Sequence, residues 1–179
     1  MMGPQHRLFG GLCGAAFASM QGWSFGIIAA SAIIATSSAH GWSSPDMDQT
    51  KPWIALNRLT PPFLDPLLAH RRLSHWWGLP ALAYWGITQM PAENAWPFLA
   101  LLVGWLSHLL GDLVFGKGGG IPVMPWGGLF VGLPLRTGKF AETGKAHIFG
   151  RERTIIPFGP VRLLSAGGMI YLLAVPWTA

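Results

Sequence analysis

Long uncharged apolar stretches alternate with polar connections along this chain, and that alternation sets the expected architecture. Between Arg7 and Asp46 no charged residue occurs if His40 is neutral. A bilayer crossing takes about 20 residues, so this stretch is too long for one span. Gln21, Gly22, Trp23 and Ser24 near its middle predict a turn, and hence a helical hairpin with arms over 8–20 and 24–39. The first arm is short and rich in glycine (Gly10, Gly11, Gly14), as expected of a tilted, packed or re-entrant segment. Further uncharged runs predict helices over 76–92, 94–115 and 161–177. The expectation is an all-α, polytopic membrane bundle of about five helices, forming one domain over 1–179. The connections 40–74 and 116–160 are rich in Pro and Gly and are expected to be loops with short helices. No internal repeat and no low-complexity tract is visible.

The basic residues orient this bundle. With the N-terminus on side one, helices 1 and 2 leave and return, a turn at Pro91-Ala92-Glu93-Asn94 joins helices 3 and 4, and helix 5 ends on the far side. All 12 Lys and Arg then fall on side one. Lys and Arg in short loops mark the cytoplasmic side, so side one is the cytoplasm and the expected location is the inner (cytoplasmic) membrane. Trp23, Trp42, Trp76, Trp77, Trp96 and Trp177 lie near span ends, where an interfacial belt would place them.

Composition agrees. The 179 residues are 51% hydrophobic and 11% charged, against about 25% charged in average globular chains. Mean hydropathy is +0.39 and the pI is about 10.0. The net charge of +5 does not read as a nucleic-acid surface, because the basic residues lie between apolar runs rather than in a soluble basic domain. A soluble enzyme, a disordered tail and a disulfide scaffold are all disfavoured. Cys13 is the one cysteine, so no internal disulfide forms and no oxidising compartment is implied. The first 19 residues lack a small-x-small cleavage site before a polar mature start, so a cleaved leader is not expected.

Six His and four Asp are present, and most fall in a few short clusters. His108 and Asp112, at i and i+4, share one helix face at the end of an apolar span. An ionisable residue there is costly and is a functional candidate by default; the alternative is a buried His–Asp hydrogen bond that pins helices. Pro45-Asp46-Met47-Asp48 puts two carboxylates together, yet the same pattern starts turns and caps helices. His70 and His75 flank Arg71 and Arg72 ahead of helix 3 and could equally sit at the interface. His6 stands just before helix 1. The topology puts all of these at one membrane boundary, although nothing in the charge count required it. Imidazole and carboxylate ligands suit Zn, with Mn or Fe as alternatives, and the groups suffice for one or two ions.

At these residues the chain resembles the YdjM-like family of inner-membrane metal-dependent hydrolases. The family's early His, Pro-Asp-x-Asp, His-Arg-x-x-(Thr/Ser)-His and Gly-Tyr-x-Ser-His-x-x-x-Asp read here as His6, Pro45–Asp48, His70–His75 and Gly104–Asp112. The Gly-x-Pro and Trp/Pro pair that follow read as Gly120-Ile121-Pro122 and Pro125-Trp126. Thr137-Gly138-Lys139-Phe140-Ala141-Glu142 looks like the family's Thr-Gly-x-x-x-Glu. The resemblance covers roughly 6–142; it departs at Arg72, where the family often has Gly, and in the Gly-rich 116–120 run. It implies His6, Asp46, Asp48, His70, His75, His108 and Asp112 as metal ligands or their supports, with Glu142 as a further ligand or base.

The leading expectation is a membrane-embedded, metal-dependent hydrolase at the cytoplasmic face, acting on a phosphoester or ester of a lipid or lipid-linked substrate. A carboxylate not committed to metal, Glu142 or one of Asp46 and Asp48, would move protons. Arg71, Arg72 and Lys117 would hold a phosphate. The 116–120 run would offer backbone N–H groups to an anion or simply form a loop. A non-catalytic metal-binding membrane protein (transporter, sensor or assembly factor) is the alternative. A transporter would place ionisable groups near the bilayer midplane, and these gather at one boundary. A third reading is a scaffold within a larger complex.

Overall fold

The computed structural model describes residues 3–40, 43–49, 54, 64, 72–115, 121–126, 130–131, 145–148, 151–154, 164–168 and 170–171. The described chain is mostly helical. Helix α1 spans Gly3–Met20, α2 Phe25–Ser38, α3 Gly78–Thr88 and α4 Ala92–Phe115. Short 3-10 turns occupy Pro45–Gln49 and Leu73–His75. Residues 164–168 and 170–171 are helical, within the expected fifth helix.

The α1–α2 turn falls where the sequence placed it. Gly22 takes a left-handed conformation with φ 68°. Its N–H donates to the Ser19 carbonyl at 2.9 Å and the Trp23 N–H to the Ala18 carbonyl at 3.2 Å. That double bond pattern closes a helix C-terminus at a glycine, because the conformation strains any residue with a Cβ. Trp23 packs back on Ala15, Ala18, Ile28 and Ala32, and meets Phe17 edge-on at 5.6 Å.

Small residues join α1, α2 and α4. A Cβ on Gly14 would stand 2.5 Å from the Ala35 Cβ and 2.6 Å from the Ser31 carbonyl oxygen. A Cβ on Gly10 would strike Ala39, and one on Gly104 would strike Ser38 and Ala35. Where the surroundings are apolar, helices associate through such close backbone approach rather than through burial of large side chains. On α1 the stripe runs His6, Gly10, Gly14, Ala18; on α4 it runs Ala100, Gly104, His108, Asp112. Both repeat every fourth residue, so each keeps to one helix face. The stripes that bring the helices together therefore end in ionisable groups. On the other side of α4, Leu102, Ala95 and Leu99 pack with Ile87 of α3.

Three differences from the sequence expectation have physical causes. Helix α1 starts at Gly3, so His6 lies inside it rather than before it; Pro4 in the first turn has no N–H that the helix would need. The 116–160 connection, expected to hold short helices, contains two antiparallel pairs. Strand β1 (Ile121–Pro122) pairs with β2 (Phe130–Val131), and β3 (Lys145–Ile148) with β4 (Arg151–Thr154). Lengths also differ. Among the described residues only Ala92–Val114 is long and apolar enough to cross a membrane. At 1.5 Å per residue, α4 reaches about 36 Å, α2 about 21 Å and α3 about 17 Å, against a hydrocarbon core of about 30 Å.

Candidate metal centre

Five side chains from four segments converge at one end of the α1–α2–α4 unit: His6 of α1, Asp46 of the first 3-10 turn, His75 of the second, and His108 and Asp112 of α4. Each histidine and Asp112 is essentially buried, and Asp46 is partly so. His75 Nε2 lies 3.4 Å from Asp46 Oδ1 and 3.5 Å from Asp112 Oδ2. His108 Nε2 lies 3.7 Å from Asp46 Oδ2 and 3.6 Å from Asp112 Oδ2. These are longer than an N–H···O bond, which runs about 2.7–3.2 Å. They approach the separation, about 3.3–3.4 Å, of two atoms bound tetrahedrally to one ion at 2.0–2.1 Å. Both histidines thus face both carboxylates across ligand-like distances, and the cluster could hold a metal ion.

The backbone explains why the imidazoles point inward. Helix α2 ends at Ser38, and the last carbonyls of a helix have no partner within it. The Ala39 carbonyl takes its hydrogen bond from His108 Nδ1 at 2.8 Å. A carbonyl can only accept, so Nδ1 carries the proton and Nε2 keeps its lone pair toward the carboxylates. His75 Nδ1 is likewise engaged, 3.1 Å from Ser74 Oγ, which leaves Nε2 for the cluster. Anchoring one ring nitrogen to orient the other is how proteins present metal-binding histidines.

His6 and His40 flank this group. His6 Nε2 is 3.5 Å from Asp112 Oδ1, and its ring stacks on His108 with centroids 3.9 Å apart. His40 Nδ1 is 3.5 Å from Asp46 Oδ2. Each carboxylate therefore meets a third imidazole, at Oδ1 of Asp112 and at Oδ2 of Asp46. The cluster concentrates two negative charges among imidazoles, an arrangement complementary to a divalent cation. Burial disfavours the charged form of Asp46, but its contact with His75 outweighs it and holds this carboxyl well below its usual range. Burial also disfavours the charged form of His75; contact with Asp112 and Asp46 outweighs it and raises the pKa. At His40 burial prevails and lowers the pKa, with Asp46 pulling up and Arg7 pushing down.

Of the expected site residues, His6, Asp46, His75, His108 and Asp112 come together. The Asp48 side chain, His70, Arg71, Lys117 and Glu142 lie outside the described residues. The Arg72 guanidinium, expected to hold a phosphate, donates to the Trp126 carbonyl. Nearby, Trp76 Nε1 donates to the Val123 carbonyl at 3.0 Å, so the 72–76 segment is tied to 121–126. His40 and Ser74 were not among the expected site residues. The signal for Ser74 was its place beside His75; His40 offered only its position after an apolar run and six residues before Asp46. Comparison with protein-family models, with curated proteins and with solved structures returns no match.

Proposed function

We propose that this protein is a membrane-embedded, metal-dependent hydrolase of the cytoplasmic membrane face, acting on a phosphoester or ester of a lipid or lipid-linked substrate. The observation that carries this reading is the paired presentation of His75 Nε2 and His108 Nε2 to Asp46 and Asp112 at 3.4–3.7 Å. Two imidazoles and two carboxylates form a mixed N/O donor set suited to Zn, and also to Mn or Fe. A bound divalent ion would supply Lewis acidity and an activated water there. His6 orients Asp112 through its Oδ1, and His40 meets Asp46 at Oδ2, the oxygen that also faces His108. Proton transfer falls to a carboxylate outside the donor set, Asp48 or Glu142. The motif resemblance to the YdjM-like family supports the same assignment. The apolar length of α4 supports a membrane setting for that helix, and the one-sided distribution of Lys and Arg on the expected topology supports a cluster facing the cytoplasm.

The test is metal analysis of detergent-purified protein alongside its turnover. We expect stoichiometric divalent metal, and chelator-sensitive release of phosphate or fatty acid from phospholipids or generic phosphoesters. Metal without turnover would favour the non-catalytic alternative, and protein without metal in any preparation would overturn both.

A further inference from the structure

The His/Asp cluster offers more donors than one ion takes. Three buried imidazoles meet two carboxylates there at 3.4–3.7 Å. His40 adds a fourth at the more exposed edge, 3.5 Å from Asp46. A tetrahedral ion is complete with four donors. The ligand atoms fall into two overlapping triads, His6–His108–Asp112 and Asp46–His75–His108, each gathered within 4.8 Å. His108 belongs to both triads. With its Nδ1 proton on the Ala39 carbonyl, it has one lone pair to give, on Nε2. That nitrogen is buried and has no hydrogen-bond partner among the described residues.

The carboxylates show how the donors divide. Asp46 turns Oδ1 to His75 at 3.4 Å and Oδ2 to His108 at 3.7 Å. Asp112 turns Oδ2 to His75 at 3.5 Å and Oδ1 to His6 at 3.5 Å. Each acid thus offers one oxygen to His75 and the other to the stacked His6–His108 pair. A carboxylate so placed can bridge two ions, which stand about 3.5–4 Å apart in two-metal sites. Helical bundles build such paired sites from inward-facing carboxylates and histidines of different helices. Asp112 Oδ2 also lies 3.6 Å from His108 Nε2, so a lone ion would sit among His75, His108 and both carboxylates and leave His6 outside its coordination.

We propose that the cluster holds two divalent ions bridged by Asp46 and Asp112, one ion on His6 and His108 and the other on His75. The inference rests on the metal reading of the cluster and deepens it, because His6 changes from a support of Asp112 to a ligand. The ion on His75 then has three protein donors and keeps a position for water or substrate. One divalent ion neutralises the two carboxylates, whereas a second leaves the centre positive. That charge suits the phosphate of a phosphoester over an uncharged carboxylic ester.

The test is a metal titration of full-length protein in detergent, first stripped with chelator. Zinc is added and the bound ions are counted by native mass spectrometry. Wild type is expected to saturate at two ions per chain and His6→Gln at one. Wild type saturating at one, or a folded His6→Gln holding any number but one, would overturn the proposal and leave the metal assignment standing. Manganese gives a reading that needs no variant. Two manganese ions sharing carboxylates are exchange-coupled, so saturated wild type is expected to give a coupled electron paramagnetic resonance spectrum. The spectrum of isolated ions at saturation would overturn the bridging by Asp46 and Asp112. Protein that takes up no ion at all would overturn the cluster reading itself.

Discussion

His108 and Ala39 lie 69 residues apart in sequence and are joined by a 2.8 Å hydrogen bond from Nδ1 to the carbonyl oxygen. One contact thereby satisfies a helix terminus and aims an imidazole. His75 depends similarly on Ser74. Removing such a support while leaving the ligand in place typically costs about 10–100-fold in metal affinity. Ser74→Ala should therefore weaken metal binding by about tenfold or more, read by competition with a chromogenic chelator. His108→Ala should abolish stoichiometric metal. Equal affinity in Ser74→Ala and wild type would remove the hydroxyl from the account.

Packing at Gly104 makes a separate prediction. A Cβ there runs into the Ser38 hydroxyl and the Ala35 backbone, and that backbone cannot retreat without moving α2. Overpacking of this kind costs about 1–3 kcal/mol or more. Because α2 also carries the Ala39 carbonyl that holds His108, Gly104→Val should lower the melting temperature and reduce bound metal together. Gly26→Ala, with open space around it, should instead stabilise the helix by about 0.5–1 kcal/mol. Thermal unfolding in detergent, with metal analysis of each sample, checks both. A Gly104→Val protein as stable as wild type would mean the helices are not held at this distance.

The pH response should reverse when metal is removed. Without metal, the pKa of His75 is raised by Asp112 and Asp46 against burial. Protonated His75 then contributes stability that is fully present below its ordinary pKa and lost as pH rises through the raised value. Asp46 has a lowered pKa, so its contribution is present above the ordinary carboxylate value and disappears only in acid. In chelator, stability should therefore fall as pH rises above about 6.5. With metal, protons compete for His75 Nε2, and stability should rise over the same interval. Melting curves from pH 6 to 9, with and without chelator, give the two slopes. Parallel slopes would show that metal and protons do not share His75.

How much of this was readable beforehand depends on the range of the interaction. The Gly22 turn and the His108–Asp112 pair are local, and residue type and spacing carry them directly. The convergence of His6, Asp46 and His75 on that pair was expected only on an assumed one-sided membrane topology, which speaks to proximity and not to orientation. The orientation comes from the Ala39 carbonyl and the Ser74 hydroxyl, and a backbone carbonyl has no residue-type signature. His40 reaches Asp46 through an intervening stretch that has no helical or strand period. Strands of two to four residues are too short for an alternating pattern to stand out among the surrounding Gly and Pro. The start of α1 at Gly3 was hidden because an early Pro reads as readily as a helix breaker as a first-turn residue.

Arg72 separates two roles that the sequence alone does not distinguish. Its guanidinium donates to the Trp126 carbonyl, and four residues on Trp76 donates to Val123. Both bonds draw the 121–126 segment onto the 3-10 turn that carries His75. If Arg72 acts through this tie, Arg72→Gln should speed amide exchange at Val123–Trp126 and lower metal affinity several-fold, because the turn holding His75 loosens. If instead its charge grips a substrate phosphate, the same variant should raise KM for an anionic substrate and leave exchange and metal unchanged. The two outcomes differ in observables that do not depend on knowing the natural substrate. The hydrogen bond favours the first: a guanidinium engaged with a carbonyl has fewer donors left for a bidentate phosphate contact.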